Sequence, residues 1–80
     1  MRSAFVPSSA RARQVKFDDD DMIVSLEDGR VISVPLEWFP RLFHATENQR
    51  RAVRISRHGH GLHCDQIDED LTVAGLLTGG

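Results

Sequence analysis

The sequence predicts a small α+β domain with an antiparallel sheet of three strands, a short helix, a two-stranded hairpin and a short C-terminal helix. Two observations indicate this fold class. Short segments in which apolar and polar residues alternate, as in half-buried strands, are separated by turns rich in glycine, proline and aspartate. A chain of 80 residues buries only about 60% of its unfolded surface, so it supports one core and leaves no room for a deep enzyme cleft.

The N-terminal part of the chain is predicted to be a tail followed by a strand. Residues 1–12 show no hydrophobic period, and we expect them to form a flexible tail ahead of a single α+β domain over residues 13–80. Val15 and Phe17 alternate with polar neighbours as in a half-buried strand. The four aspartates at 18–21 lack the spacing and the glycine of an EF-hand loop, so they indicate a charged turn rather than a calcium site.

A hairpin is expected around Gly29. A two-residue turn at Asp28 and Gly29 would divide the apolar residues of the two strands between both faces of the sheet. A three-residue loop over residues 27–29, with Gly29 in the left-handed conformation, instead places them on one face. The resulting cross-strand pairs are Leu26 with Arg30, Val24 with Ile32, and Met22 with Val34.

A short aromatic helix is predicted after this hairpin. Pro35 ends the strand, and Pro40 fits the first helical turn, where its missing N–H is harmless. We expect Trp38 to lie in the core; a partly exposed Trp38 would instead be a binding anchor. The apolar stripe that should face the sheet consists of Trp38, Phe39, Leu42 and Phe43.

Three further elements complete the predicted fold. Thr46 followed three residues later by Gln49 is a capping-box pattern and predicts a second helical turn. Residues 53–64 form a hairpin with a turn at 58–61. Residues 70–77 are predicted to be a short capped helix that closes the core.

The distribution of charge suggests a binding surface. The net charge is −2, yet all ten basic residues precede position 58 and nine of them are arginines. Arginine favours planar, bidentate contacts with carboxylates and phosphates. The alternatives are a solvated face without a binding role and a nucleic-acid surface, although the balance is far from that of a dedicated nucleic-acid binder. The candidate partner-binding residues are Arg50, Arg51, Arg54 and Arg57.

Potential metal ligands cluster near the end of the predicted hairpin. His63 and Cys64 are neighbours on a strand and should point to opposite faces, so the cluster cannot converge on one zinc ion. The same divergence argues against a Cys64 nucleophile with His63 as its base. We therefore expect no metal, no cofactor and no catalytic residue. The residues concerned are His58, His60, His63 and Cys64.

The chain carries no signal for secretion or membrane insertion. Its single cysteine rules out an internal disulfide framework, and no apolar run approaches the roughly 18 residues that span a bilayer. We expect a soluble protein of the reducing cytoplasm without membrane contact.

Several segments in this order carry a resemblance to a known family. They are Met-Ile-Val-Ser-Leu-Glu-Asp-Gly-Arg-Val-Ile-Ser-Val-Pro-Leu, Trp-Phe-Pro-Arg-Leu, and Ile-Asp-Glu-Asp-Leu-Thr-Val-Ala-Gly-Leu-Leu. Over about residues 15–79 the chain resembles the bacterial domain of unknown function 2442 family, although Cys64-Asp65 stands where relatives commonly have tryptophan and proline. The resemblance implies a small α+β fold, no established catalytic residues, and gene pairs that resemble toxin and antitoxin modules.

The predicted function is that of a non-enzymatic protein-interaction module. We expect an antitoxin-like protein or a regulatory adaptor that binds one protein partner, such as the product of a neighbouring gene. Two other classes stay open. One is a nucleic-acid-associated accessory protein that uses the arginines of residues 41–57, and the other is a small metal-binding sensor or enzyme that uses the histidines.

Overall fold

Two three-stranded antiparallel sheets form the framework of the computed structural model, which describes residues 10–78. The first sheet has the order β1-β2-β3 and the second the order β4-β5-β6. Within residues 10–78 the chain also forms three short helices and two 3₁₀ turns, so the predicted α+β class is confirmed. The strands are β1 (Ala12–Phe17), β2 (Asp21–Leu26), β3 (Val31–Pro35), β4 (Arg54–Ile55), β5 (Gly61–Cys64) and β6 (Glu69–Thr72). The helices are α1 (Pro40–Phe43), α2 (Glu47–Arg51) and α3 (Val73–Leu77), and the 3₁₀ turns are Leu36–Trp38 and Asp65–Ile67.

The β2–β3 hairpin has the register that the apolar pattern predicts. Met22 pairs with Val34 and Val24 with Ile32. Gly29 adopts a φ of +95°, as the three-residue loop requires. The apolar side of this sheet therefore faces one core, which is completed by Leu36, Leu42, Leu62, Val73 and Leu76.

A β-bulge interrupts β1 at Arg13. Ala12 pairs with Leu26 and Gln14 with Ser25, so one extra residue lies on the β1 side. Ala12 is buried and Val15 is half-buried, whereas Arg13 and Gln14 are both exposed. The bulge thus turns two consecutive side chains to solvent while the strand keeps its apolar contacts on either side.

The predicted aromatic stripe is wrong in its outer members. Trp38 is 53% exposed and Phe43 is 45% exposed, while Leu36 and Leu42 are buried. The reason is a break at Phe39, whose φ of −128° and ψ of 84° are not helical and separate a 3₁₀ turn from α1. The residues therefore do not share one helical face. Pro40 occupies the first turn of α1 as expected.

The predicted helical turn after Thr46 is confirmed, whereas the predicted C-terminal helix is only partly correct. The capping box of α2 is present, with Gln49 N–H bonded to Thr46 Oγ1 at 3.1 Å and Thr46 N–H bonded to Gln49 Oε1 at 2.9 Å. The helix predicted over residues 70–77 is too long. Residues 69–72 form β6, which pairs with β5, and the α3 helix begins only after the N-cap Thr72. The second sheet consequently has three strands rather than the two of the predicted hairpin.

The start of the described chain is part of the packed structure. Ala10 and Ala12 are buried, and Ala12 begins β1. The rest of the predicted tail, residues 1–9, lies outside the described residues. Within residues 10–78, no helix is long and apolar enough to cross a membrane.

Candidate functional site

Arg50, one of the four predicted partner-binding arginines, has a structural role. Its Nε donates to the carbonyl of Leu42 at 3.0 Å and its guanidinium donates to the carbonyl of Phe43 at 2.8 Å. Those carbonyls lie at the end of α1, where a helix leaves acceptors outside its regular hydrogen-bond pattern; the Leu42 carbonyl also accepts from the N–H of Ala45 at 3.2 Å. Arg50 therefore joins α2 to the end of α1, and its bonded nitrogens are not available to a ligand.

Arg51 and Arg54 line one shallow depression, but each already has an acidic neighbour. Arg51 pairs with Glu47 at 3.0 Å, one helical turn away, and Arg54 pairs with Asp65 at 3.1 Å. All four side chains are more than half exposed, so these ion pairs are weak. A ligand at this depression would compete with the protein's own carboxylates.

Arg57 lies apart from those residues, in a different groove. This groove of about 490 Å³ runs between the start of β1 and the turn that joins β4 to β5. Arg11, Arg13 and Arg57 all line this groove, and we call it the arginine groove. Arg11, which falls in the predicted tail, and Arg13 are not among the residues predicted to bind a partner; the signal that could have indicated them is their position on either side of the apolar Ala12.

Backbone contacts hold the two walls of the arginine groove together. The N–H of Ala12 donates to the carbonyl of Gly59 at 2.7 Å. Gly59 has a φ of +80°, and a Cβ there would lie 2.9 Å from the Cβ of Arg11. The turn can approach β1 this closely only because residue 59 has no side chain. Arg57 and Arg11 are therefore brought to one surface by a glycine contact.

The arginines of the groove differ from the other arginines of residues 10–78 because their guanidinium groups have no internal hydrogen-bond or ion-pair partner. Within residues 10–78, no hydrogen bond or ion pair to the side chains of Arg11, Arg13 or Arg57 is found. Glu27 is the only carboxylate among the lining residues, and it is exposed. The other arginines in this part of the chain have these partners: Arg30 with Asp28, Arg41 with Asp68, Arg50 with two carbonyls, Arg51 with Glu47, and Arg54 with Asp65.

The histidine cluster is dispersed, as the alternation along the strand predicts. His60 Nδ1 lies 3.2 Å from the carbonyl oxygen of Ala10, whereas Cys64 is buried and its thiol donates to the carbonyl of Gln49. His63 pairs instead with Asp65. In the part of the chain that the structure describes, no group of three or more acidic, histidine or cysteine side chains could hold a metal ion.

Asp65 links this histidine to Arg54 on the outer face of the second sheet. The hydrogen bond and the charge of His63, aided by Arg54, hold the pKa of Asp65 below its ordinary value of 3.8. The Asp65 side chain is 69% exposed, so the arrangement lacks the burial that raises the pKa of a catalytic acid.

Exposed aromatic side chains form a second notable surface feature. Trp38 and Phe43 lie within six consecutive residues around α1, and both are about half exposed. Tryptophan is among the residues most enriched at the energetic centres of protein interfaces. The exposed Trp38 therefore meets the condition under which sequence analysis expected a binding anchor.

Comparisons with known proteins find one matching family model and similar solved structures. The family model described as "Protein of unknown function (DUF2442)" matches residues 12–80. A crystal structure of a protein of unknown function from Rhodospirillum rubrum is 35% identical, with a TM-score of 0.76, and the match covers 88% of this chain and 87% of that one. A solution structure of an uncharacterized protein from Chromobacterium violaceum is 25% identical, with a TM-score of 0.72, covering 86% of this chain and 65% of that one. No curated protein is similar enough to count as a match.

Proposed function

Since the chain belongs to the DUF2442 family, whose description leaves the function open, we propose that it is a non-enzymatic protein-interaction module. It binds one protein partner, in the manner of an antitoxin or a regulatory adaptor. The binding site is the arginine groove, and the segment that it binds is acidic.

One observation carries this proposal, namely the contrast between the arginines inside and outside the groove. Five other arginines of the described chain have internal partners, whereas the three that lack any such partner line the same depression. Guanidinium groups match carboxylates in bidentate geometry. Each such contact contributes about 1.5–3 kcal/mol when the bound partner excludes water from it, compared with about 0–1 kcal/mol for a solvated surface pair.

An acidic protein segment fits this groove better than a nucleic acid does. Three guanidinium groups are fewer than the roughly 6–10 phosphate contacts typical of a strongly salt-dependent nucleic-acid complex. The exposed Trp38 also supports a protein partner, since tryptophan is enriched at protein interfaces.

The titratable groups support a role without catalysis. Among the residues that the structure describes, no lysine, arginine, histidine or carboxylate side chain is buried. Catalytic acids and bases usually lie in clefts that shift their pKa values. The pKa of Asp65, by contrast, is lowered by its surface neighbours His63 and Arg54, which favours the ionised carboxylate.

Two variants with equal charge changes test the proposal. Arg11→Gln/Arg13→Gln/Arg57→Gln removes the three groove charges, and Arg30→Gln/Arg51→Gln/Arg54→Gln removes three charges that have carboxylate partners. Binding is measured by fluorescence anisotropy with a labelled peptide of eight alternating aspartate and glycine residues, and with a single-stranded DNA of the same total charge. We expect the groove variant to bind the peptide at least about tenfold more weakly than wild type, because losing about 1.4 kcal/mol is tenfold in affinity. The control variant should change this affinity much less.

Other results would count against the acidic-peptide site. Equal losses in both variants would show that net charge, and not the groove, determines binding. Preferential binding of the DNA, with an affinity that falls steeply as salt rises, would support the nucleic-acid alternative. Co-purification of the wild-type protein with the product of a neighbouring gene, lost in the groove variant alone, would extend the result to a natural partner.

A further inference from the structure

Strand β3 forms an open edge of the first sheet. It pairs only with β2, and it spans Val31–Pro35. Val31 is 62% exposed, the highest value among the large apolar residues of the described chain, and Ser33 is also exposed. No side chain of β3 is charged. An uncharged, exposed edge of this length is a template for pairing with another strand.

The other edge strands of the described chain are protected in ways that β3 is not. The β1 edge carries charged side chains and a bulge and lies against β4, and the β4 edge has only two residues. The β6 edge is acidic. Charges, bulges and short length are the usual devices that prevent edge pairing. The charged residues on these edges are Arg13, Lys16, Arg54, Glu69 and Asp70.

The hydrogen-bond pattern of the β2–β3 hairpin shows which groups of β3 face outward. Leu26 N–H donates to the carbonyl of Arg30 at 2.8 Å, so bonding to β2 alternates along β3 at residues 30, 32 and 34. The N–H and C=O groups of Val31 and Ser33 therefore point away from the sheet. Within residues 10–78, no group outside the sheet bonds to them. Pro35 also faces outward but has no N–H to donate.

We propose that two copies of this chain associate through β3, in antiparallel orientation, and so join two three-stranded sheets into one of six strands. The two-fold axis passes beside Ile32, and Val31 of each copy lies opposite Ser33 of the other. In this register every outward donor and acceptor of Val31 and Ser33 is used. Neither other two-fold register uses all of these groups. With Ser33 opposite itself, the Val31 carbonyl would face Pro35, which has no N–H; with Val31 opposite itself, the Ser33 carbonyl would face Gly29, whose N–H is bonded to Leu26.

A second copy is the occupant that suits this edge. Strand β3 has no charge that would be repelled by its own image across a two-fold axis. The register is self-complementary, because Val31 and Ser33 supply matching donors and acceptors to each other. The half-buried Ile32 side chains would meet across the axis on the core side of the joined sheet, where cross-strand neighbours without mutual hydrogen bonds approach most closely.

The oligomeric state of the full chain tests the association. Light scattering after size-exclusion chromatography, over a range of protein concentrations from micromolar to near-millimolar, should show the mass rising from the 9.0 kDa of one chain toward twice that value. Ser33→Pro removes an outward N–H at an edge position that tolerates proline, and Val31→Lys adds a charge; both should stay monomeric. Gln14→Lys, which adds the same charge to the exposed face of β1, should associate like wild type.

Cysteine cross-linking tests the register. Ile32→Cys should form a covalent dimer on mild oxidation, because the two copies of residue 32 face each other across the axis. Val31→Cys should link far more slowly, and the buried Cys64 serves as the background in wild type. A wild-type protein that stays monomeric at every concentration overturns the proposal, as does association that Ser33→Pro and Val31→Lys leave unchanged. Faster linking of Val31→Cys than of Ile32→Cys also overturns it.

Discussion

Alanine substitutions at Gly29 and Gly59 separate the cost of a backbone conformation from the cost of a steric clash. Both glycines have positive φ angles, +95° and +80°. A Cβ at Gly29 would meet no atom within 4 Å, whereas a Cβ at Gly59 would lie 2.9 Å from Arg11 Cβ and 3.3 Å from the Ala12 carbonyl oxygen. An alanine at either site thus incurs the cost of a positive φ, and only an alanine at residue 59 also incurs a steric clash.

The expected magnitudes follow from these environments. Gly29→Ala should lower the free energy of unfolding by about 1–2 kcal/mol, the cost of placing a side chain in the left-handed region. Gly59→Ala should incur the same cost and a further ~1–3 kcal/mol, because overpacking must displace β1. The close atoms are the Cβ of Arg11 and the backbone of Ala12. They cannot simply rotate away, because the Ala12 N–H is bonded to the Gly59 carbonyl at 2.7 Å.

Urea denaturation of both alanine variants, and of Gly29→Asn and Gly59→Asn, would measure these terms. Asparagine tolerates positive φ, so Gly29→Asn should recover much of the stability lost in Gly29→Ala. Gly59→Asn should not recover, because its Cβ meets the same atoms. In a domain of this size, a difference of 1 kcal/mol corresponds to about 4–8 °C in Tm.

Two outcomes would refute this account of the glycines. Equal destabilisation by the two alanine substitutions would mean that the turn does not press against β1. An unchanged stability in Gly29→Ala would mean that the three-residue loop, and with it the register of the hairpin, is not held in solution. A loss of peptide binding in Gly59→Ala but not in Gly29→Ala would further connect the glycine contact to the arginine groove.

Further substitutions test the core, a cap and an exposed ion pair. Leu42→Ala should destabilise the fold by about 2–5 kcal/mol and Phe43→Ala by less than about 1 kcal/mol, since Leu42 is 1% exposed and Phe43 is 45% exposed; equal effects in chemical denaturation would contradict this assignment. Thr46→Ala should cost about 0.5–2 kcal/mol and Thr46→Ser much less, measured in the same way, because serine retains the capping oxygen. The pKa of Asp65 is lowered in the folded state, mainly by the hydrogen bond from His63, so its contribution to stability is present above the ordinary carboxyl pKa and is lost as pH falls through the lowered value. The Tm of wild type should therefore exceed that of Asp65→Asn near pH 5, and the difference should shrink below about pH 4; a difference that grows on acidification would contradict the direction of the shift.

The elements that sequence analysis predicted correctly are those determined by neighbouring residues. The turn at Gly29, the register of β2 with β3 and the capping box at Thr46 each depend on residues a few positions apart. In such segments, backbone geometry and side-chain period leave few alternatives. The divergence of His63 and Cys64 belongs to the same class, because alternation along a strand is a local property.

The features that only the tertiary structure decided depend on contacts between distant segments. Thr72 ends a strand rather than continuing a helix because β5 supplies hydrogen bonds to that segment, and the exposure of Trp38 follows from which residues reach the shared core. The arginine groove is of this kind as well. Arg11 and Arg57 are far apart in the chain, and no local pattern indicates that Gly59 brings them to one surface. A sequence period specifies which side chains share a face, but the pairing of faces and edges is settled by the free energy of the assembled core.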